Sequence, residues 1–125
     1  MRTDCNVLIV DDYKTMLRIV RGLLTEIGVK NIDEATHGEG ALQLLQAKKY
    51  DLVLSDWNMQ PMSGLDLLRA VRSNPKTAKT PFVLVTAEAK VENVATARAA
   101  GVSGYMVKPF NGATLKTKIT PFLTQ

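Results

Sequence analysis

The chain has 125 residues, 46% of them hydrophobic, and carries 16 Lys and Arg against 12 Asp and Glu, a formal net charge of +4. That length fits one domain with a core of its own, since typical domains have roughly 100–150 residues. The one cysteine, Cys5, excludes a disulfide framework and a cysteine-based zinc site. The first apolar run, Val7–Val10, is too short for a signal peptide or a membrane span, so we expect a cytoplasmic protein with no membrane partner.

Five short apolar runs predict strands along the chain. Each is only three or four residues long and mostly apolar at consecutive positions, which is typical of strands covered on both faces. In chain order they are Val7–Val10, the weaker Ile32–Ala35, Leu52–Leu54, Phe82–Val85 and Tyr105–Val107.

Helical spacing of apolar residues separates these runs. Between Met16 and Ile27 the apolar positions follow one helix face, and Gly28 follows as a stop signal. The other four predicted helices lie around residues 41–45, 65–71, 91–99 and 115–123. The fourth has an apolar face of small residues, and Pro121 predicts that the fifth is helical from about Ala113 to Thr120 and then kinked or irregular.

The alternation of five strands with five helices predicts an α/β fold with a parallel sheet. A barrel of eight such units needs about 200 residues or more, so an open doubly wound sheet fits better. We expect residues 1–125 to form one domain, with no second domain on the chain.

Charged and hydroxyl side chains follow the predicted strands. Asp11 and Asp12 come after the first, Asp56 ends the third, Thr86 follows the fourth and Lys108 follows the fifth. Ligands of open parallel sheets bind outside the carboxyl ends of the strands, where these residues converge. Taken singly, an aspartate or Thr86 would be a helix cap and Lys108 a surface lysine.

Three clustered carboxylates repel one another unless a cation joins them, and oxygen ligands of this kind suit Mg²⁺. An ammonium and a hydroxyl beside the same carboxylates would help one of them to attack phosphorus and to hold the resulting acyl phosphate. The residues alone therefore predict a magnesium-dependent site that accepts a phosphoryl group.

Four segments then resemble the motifs of response-regulator receiver domains, and most closely those of the single-domain chemotaxis members. The segments are VLIVDD at residues 7–12, SDWNM at 55–59, VTAEAK at 85–90 and GYMVKPF at 104–110. The resemblance covers essentially the whole chain. It implies a flavodoxin-like sheet of strand order 2-1-3-4-5, forming a single receiver domain with no output domain.

The resemblance also implies a role for each site residue. Asp56 would be the phosphoacceptor. It would bind Mg²⁺ together with Asp12 and the backbone carbonyl of Asn58, while Asp11 would hold the metal through water. Lys108 would contact the phosphoryl group, with the bond to Pro109 cis.

A switch would follow phosphorylation. Thr86 would move toward the phosphoryl group and Tyr105 would swing inward, which reshapes the face of the fourth helix, fifth strand and fifth helix. Asn58 and Glu88 would tune hydrolysis of the acyl phosphate. Trp57, beside the acceptor, would report binding by its fluorescence or would simply pack.

The implied partners are a phosphohistidine kinase of the chemotaxis type and the flagellar motor switch protein. The protein would be a monomer that catalyses only its own phosphotransfer and dephosphorylation. A phosphate sink, or a regulator of another two-component pathway, remains an alternative output.

Two features depart from the family pattern. Pro61 comes one position later than usual after the Trp-Asn pair, which leaves the local loop conformation open. Lys116 and Lys118 make the fifth helix more basic than is common, which weakens the inference of motor binding and predicts a partner with an acidic surface.

Two other functional classes fit less well. An aspartate-based phosphatase of the haloacid dehalogenase type needs a second acid two residues after the nucleophile, where this chain has Asn58. A nucleic-acid-binding module would explain why residues 63–125 carry a net charge of +6 against −2 for residues 1–62. The basic residues are dispersed, however, and not clustered with aromatic side chains. His37 is expected to be a solvated or capping residue.

Overall fold

The structure, a computed structural model, describes residues 4–87 and 91–123. Its elements alternate as predicted. The strands are β1 Asn6–Val10, β2 Asn31–Ala35, β3 Leu52–Asp56, β4 Phe82–Thr86 and β5 Gly104–Val107. The helices are α1 Lys14–Ile27, α2 Gly38–Ala47, α3 Gly64–Ser73, α4 Val91–Ala99 and α5 Gly112–Leu123.

The five strands form one parallel sheet in the order β2-β1-β3-β4-β5. This confirms the predicted doubly wound α/β fold and its strand order. The order reverses between β1 and β3, the central strand of the sheet. The pairing of Val10 with Ser55 brings the carboxyl ends of these strands together, beside the residues predicted to form the site.

Two hydrophobic cores cover the two faces of the sheet, because successive strand residues point to opposite faces. In β1, Val7 and Ile9 pack with α1 and α5, whereas Leu8 and Val10 pack with α2 and α3. All four side chains are buried. In β1, β3 and β4, burial on both sides explains why the strands read as continuous apolar runs and not as alternating ones.

Local signals begin and end the helices as expected. Gly28 ends α1 in the left-handed region, at φ 113°, where its N–H donates to the carbonyls of Leu24 and Thr25. His37 is the N-cap of α2 and accepts the Gly40 N–H on Nδ1 at 3.0 Å, which confirms its predicted capping role.

Of the two outcomes predicted after Thr120, a kink or an irregular tail, the irregular tail is wrong, since α5 is helical through Pro121 to Leu123. Proline removes one backbone hydrogen bond, at a cost of about 3 kcal/mol within a long helix. Here the last described turn of the helix places Leu123 in the core, fully buried. The Cys5 Sγ lies 3.6 Å from the Leu123 carbonyl, and Phe122 packs on the same core. Burial of the final turn therefore outweighs the poor helix propensity of proline.

Within the described ranges, no helix combines the length and apolar character that a membrane crossing requires.

Candidate functional site

The predicted acidic residues meet at the carboxyl edge of the sheet. Asp11 directly follows β1, Asp12 comes next, and Asp56 is the last residue of β3. One carboxylate oxygen from each of the three lies within 4.8 Å of the others. Asp11 and Asp56 are buried, whereas Asp12 is exposed. The cluster therefore has a buried floor and one carboxylate open to solvent.

Lys108 bridges the two buried carboxylates from the end of β5. Its Nζ lies 3.0 Å from Asp56 Oδ1 and 3.4 Å from Asp11 Oδ2. The lysine reaches this position because its backbone N–H donates to the Thr86 carbonyl at 2.7 Å, which continues the pairing of β4 with β5. We call Asp11, Asp12, Asp56 and Lys108 the acidic pocket.

Burial sets the proton affinities in the acidic pocket. It raises the pKa of Asp56, and the charges of Asp11 and Asp12 raise it further, while the hydrogen bond and charge of Lys108 oppose this. Burial alone would lower the pKa of Lys108, but the hydrogen bond to Asp56 and the two nearby carboxylates raise it overall. The two carboxylates therefore favour the protonated form of Lys108.

A small cavity beneath the carboxylates gives the acidic pocket an apolar inner wall. Apolar side chains line this cavity on the side of α1 and α5. They include Met16, Leu17, Val20, Val85, Met106 and Phe110. Such a wall excludes water and strengthens every charge interaction beside it.

Neither aspartate after β1 is the N-cap of α1, as the plainer interpretation required. The N-cap is Tyr13, whose side chain makes no capping hydrogen bond. Asp11 Oδ1 instead accepts the Tyr13 N–H at 3.0 Å, and the Asp11 N–H donates to the Ala35 carbonyl. Both bonds fix Asp11 in the turn that leads from β1 into α1.

The loop after Asp56 is held by backbone contacts. Trp57 donates its N–H to the Val85 carbonyl at 2.9 Å, and its own carbonyl accepts from Met59 and Gly64. Asn58 is exposed between them, two residues after Asp56. The position of Pro61 left the conformation of this loop undecided in the sequence analysis. In the structure the Gln60–Pro61 bond is cis and Met59 is buried.

Sequence reasoning missed Gly64, the first residue of α3. A Cβ added there would lie 2.1 Å from the Asp56 carbonyl oxygen and 2.9 Å from the Trp57 Cα, so only glycine fits. The available signal was the capping box at the start of α3, in which Ser63 and Asp66 each accept the other's backbone N–H. It marks where the helix begins and thus which residue approaches the acceptor loop.

The predicted switch residues lie beside the acidic pocket. Thr86 is buried at the end of β4. Tyr105 is half-buried in β5 opposite Leu84 and meets the Trp57 ring edge-on, with centroids 6.2 Å apart and planes at 77°. Trp57 thus contacts both the acceptor loop and the predicted switch tyrosine.

Two further predictions concern neighbouring positions. The Lys108–Pro109 bond is cis, as the resemblance implied. Glu88, predicted to tune hydrolysis, lies outside the described residues.

The donor set of the acidic pocket fits Mg²⁺. Three carboxylates supply hard oxygen ligands, and the exposed Asp12 leaves an open side for water and phosphate oxygens, which Mg²⁺ prefers to keep.

Comparisons with known proteins agree with this geometry. The family model of the response regulator receiver domain matches residues 7–120. The chain is 48% identical over 113 residues to the chemotaxis protein CheY of Pseudomonas aeruginosa, covering 90% of this chain and 91% of the relative. It is 45% identical over 119 residues to the chemotaxis protein CheY-3 of Vibrio cholerae, covering 95% and 92%.

A solved structure of similar shape is that of the chemotaxis protein CheY4 of Vibrio cholerae at low pH. It superposes with a TM-score of 0.90 at 32% identity, over 96% of this chain and 99% of that one.

Proposed function

The chain belongs to the response regulator receiver domain family, and on that premise we propose that Asp56 is the acceptor of a phosphoryl group from a phosphohistidine kinase. The observation that carries the proposal is the contact of Lys108 Nζ with Asp56 Oδ1 at 3.0 Å inside a cluster of three carboxylates. A surface ion pair joins one cation to one carboxylate, and the two further carboxylates of this cluster add nothing to such a pair.

Asp11, Asp12 and Asp56, with the backbone carbonyl of Asn58, would hold the Mg²⁺. When bound, this ion supplies positive charge that screens the carboxylates from an incoming phosphoryl group. Receiver domains bind Mg²⁺ at an acidic pocket, and the three convergent carboxylates of this chain are compatible with that role.

The residues of the chain divide the transfer between them. A carboxylate oxygen of Asp56 forms the new bond to phosphorus while the bond from phosphorus to the histidine nitrogen breaks, and the imidazole leaves with that electron pair. Lys108 neutralises phosphoryl oxygens at the same place where it now contacts Asp56. The apolar inner wall keeps bulk water from the acyl phosphate.

The protein is a signalling protein of the receiver class, and the only chemistry we assign to it is its own phosphorylation and dephosphorylation. Asn58, exposed two residues after the acceptor, and Glu88 are the residues proposed to tune the rate of hydrolysis.

The switch is proposed to run from Thr86 to Tyr105. The hydrogen bond between the Lys108 N–H and the Thr86 carbonyl supports this, because a shift of either residue moves the ends of β4 and β5 together. Tyr105 lines a cavity of about 200 Å³ with Val94 and Arg98 of α4 and Lys118 of α5. A change at Tyr105 would therefore alter the face made by α4, β5 and α5.

We assign that face to an output partner in chemotaxis, the flagellar motor switch protein. The relatives are chemotaxis proteins, which supports this assignment over another two-component pathway. A phosphate sink for a chemotaxis kinase is the alternative output. Arg98, Lys116 and Lys118 are exposed there and favour a partner with an acidic surface. The proposal places a monomeric single-domain protein in the cytoplasm.

Mass spectrometry after incubation with acetyl phosphate and Mg²⁺ tests the acceptor. One added phosphoryl group per chain is expected, with none in Asp56→Asn. Glu39→Gln, which neutralises an exposed carboxylate in α2, should label normally. An unchanged mass of the natural chain, or full labelling of Asp56→Asn, would overturn the assignment.

A further inference from the structure

A second concentration of charge lies at the opposite edge of the sheet, before the amino ends of β3 and β4. Two adjoining cavities of about 230 and 380 Å³ share Lys49, Tyr50, Lys76 and Thr80 in their walls. The loop after α2 and the loop after α3 supply the cations. We call these the lysine groove, formed by Lys48, Lys49, Lys76 and Lys79.

Two of the four lysines have a structural partner. Lys48 Nζ lies 3.0 Å from Asp33 Oδ2, which also accepts the Tyr50 hydroxyl at 2.6 Å. Lys76 donates to the carbonyl of Gln46 in the last turn of α2, where a cation opposes the negative end of the helix dipole. Folding alone accounts for these two side chains.

Lys49 and Lys79 have no such partner. Both are exposed, and neither side chain takes part in an ion pair or hydrogen bond with another described residue of 4–87 and 91–123. The nearest acid in sequence, Asp51, directs Oδ2 to the Asn6 N–H at 2.8 Å. The positive charges of Lys49 and Lys79 are therefore not neutralised by the described part of the chain.

The floor of the groove is apolar or internally satisfied. Leu45 and Tyr50 are buried beneath it, and the buried Thr77 hydroxyl donates to the Val71 carbonyl at 2.8 Å. Pro75 and Pro81 form the walls of the larger cavity. An apolar floor beneath a cationic rim is complementary to an extended segment that carries spaced carboxylates and apolar side chains.

The charge and the floor of the groove together indicate its ligand. The four lysines supply point charges that attract any anion, and the C-terminal end of α2 adds no anion-binding backbone N–H groups. The apolar floor of Leu45 and Tyr50 then favours an anion that also carries apolar side chains. We propose that the lysine groove docks an acidic peptide segment of a partner protein.

This docking is independent of the phosphorylation switch, because the lysine groove and the acidic pocket lie at opposite ends of the parallel strands. A partner bound there would keep the protein near a pathway component in both phosphorylation states.

Backbone amide shifts of the ¹⁵N-labelled full chain, titrated with a blocked peptide of alternating Glu and Leu at low salt, test the proposal. Shifts should map to residues 48–50 and 75–81 and be the same in Asp56→Asn. The double variant Lys49→Glu/Lys79→Glu should bind about tenfold more weakly, since each substitution replaces an attraction to a peptide carboxylate with a repulsion. The control Lys30→Glu/Arg69→Glu makes the same charge change at exposed positions elsewhere.

The proposal is overturned if both double variants weaken binding equally, or if the shifts map to Lys116 and Lys118, because either result means unselective attraction or binding at the output face. It is also overturned if sodium triphosphate or a short DNA duplex displaces the peptide from residues 48–50 and 75–81 at lower concentration, since the groove would then serve phosphate ligands. Circular dichroism of each variant confirms that it is folded.

Discussion

The two charged edges of the sheet carry opposite kinds of electrostatics. In the acidic pocket, Lys108, Asp11 and Asp56 are largely buried and bonded to one another. In the lysine groove, Lys49 and Lys79 project into solvent. Burial makes each charge at the first edge depend on its neighbours, whereas water screens those at the second. The same charge change should therefore have very different effects at the two edges.

Removal of one cation from each edge gives the largest expected contrast. Lys108→Met should slow labelling by acetyl phosphate by roughly 10²–10³-fold, the usual loss when one preorganised charge at a reacting centre is removed. Lys48→Met removes an exposed partner of Asp33 and should leave labelling unchanged, with a stability loss below about 1 kcal/mol. The labelling rates of both variants, measured by mass spectrometry over time, check this.

Equal labelling rates for Lys108→Met and the natural chain would mean that the lysine serves only the fold. Equal losses for both lysine variants would mean that the effect comes from net charge and not from contact with Asp56.

Glycine substitutions compare the packed acceptor loop with an open helix surface. Gly64→Ala should cost about 3 kcal/mol, because its Cβ would overlap the Asp56 carbonyl and the backbone must shift. Gly22→Ala lies within α1 with no atom in reach of the added Cβ, and it should stabilise the protein by roughly 0.5–1 kcal/mol. Urea unfolding of the two variants measures both changes. A tolerated Gly64→Ala would show that the loop after Asp56 is not held as described.

The sequence predicted most of the fold and the acidic pocket for a physical reason. Buried parallel strands must be apolar throughout, so the aspartates after Val10 and Ser55 and the lysine after Val107 mark strand ends directly. Parallel topology then brings those ends to one edge. Neither inference needs side-chain detail.

The features that the sequence did not predict depend on contacts between segments that are distant in the chain. The contact of Gly64 with the Asp56 carbonyl is set by how α3 packs against the loop. The lysine groove forms because two separate loops adjoin, and its residues look dispersed in sequence. The helical Pro121 reflects burial of Leu123 in the core, which local propensity cannot reveal.

Ionisation of Asp56 and of Asp33 should change the stability of the fold with opposite sign. Burial and neighbouring acids raise the pKa of Asp56 above its ordinary value of 3.8. The hydrogen bond from Tyr50 and the charge of Lys48 lower the pKa of Asp33 below the same value. The folded protein therefore binds protons more tightly than the unfolded chain at Asp56 and less tightly at Asp33.

Ionisation of Asp56 therefore destabilises the fold as the pH rises above 3.8. Ionisation of Asp33 has the opposite effect and stabilises the fold above that value. The stability that Asp33 contributes is lost as the pH falls through its lowered pKa. At neutral pH without metal, Asp56→Asn should gain roughly 1–3 kcal/mol of unfolding free energy. Asp33→Asn should lose less than about 1 kcal/mol, since its side chain is partly exposed. Urea unfolding with a chelator at neutral and acid pH should show both differences shrinking on acidification. A loss of stability in Asp56→Asn at neutral pH would mean that the attraction of Lys108 exceeds the cost of burying that carboxylate. The predicted difference in sign between Asp56 and Asp33 would then be wrong.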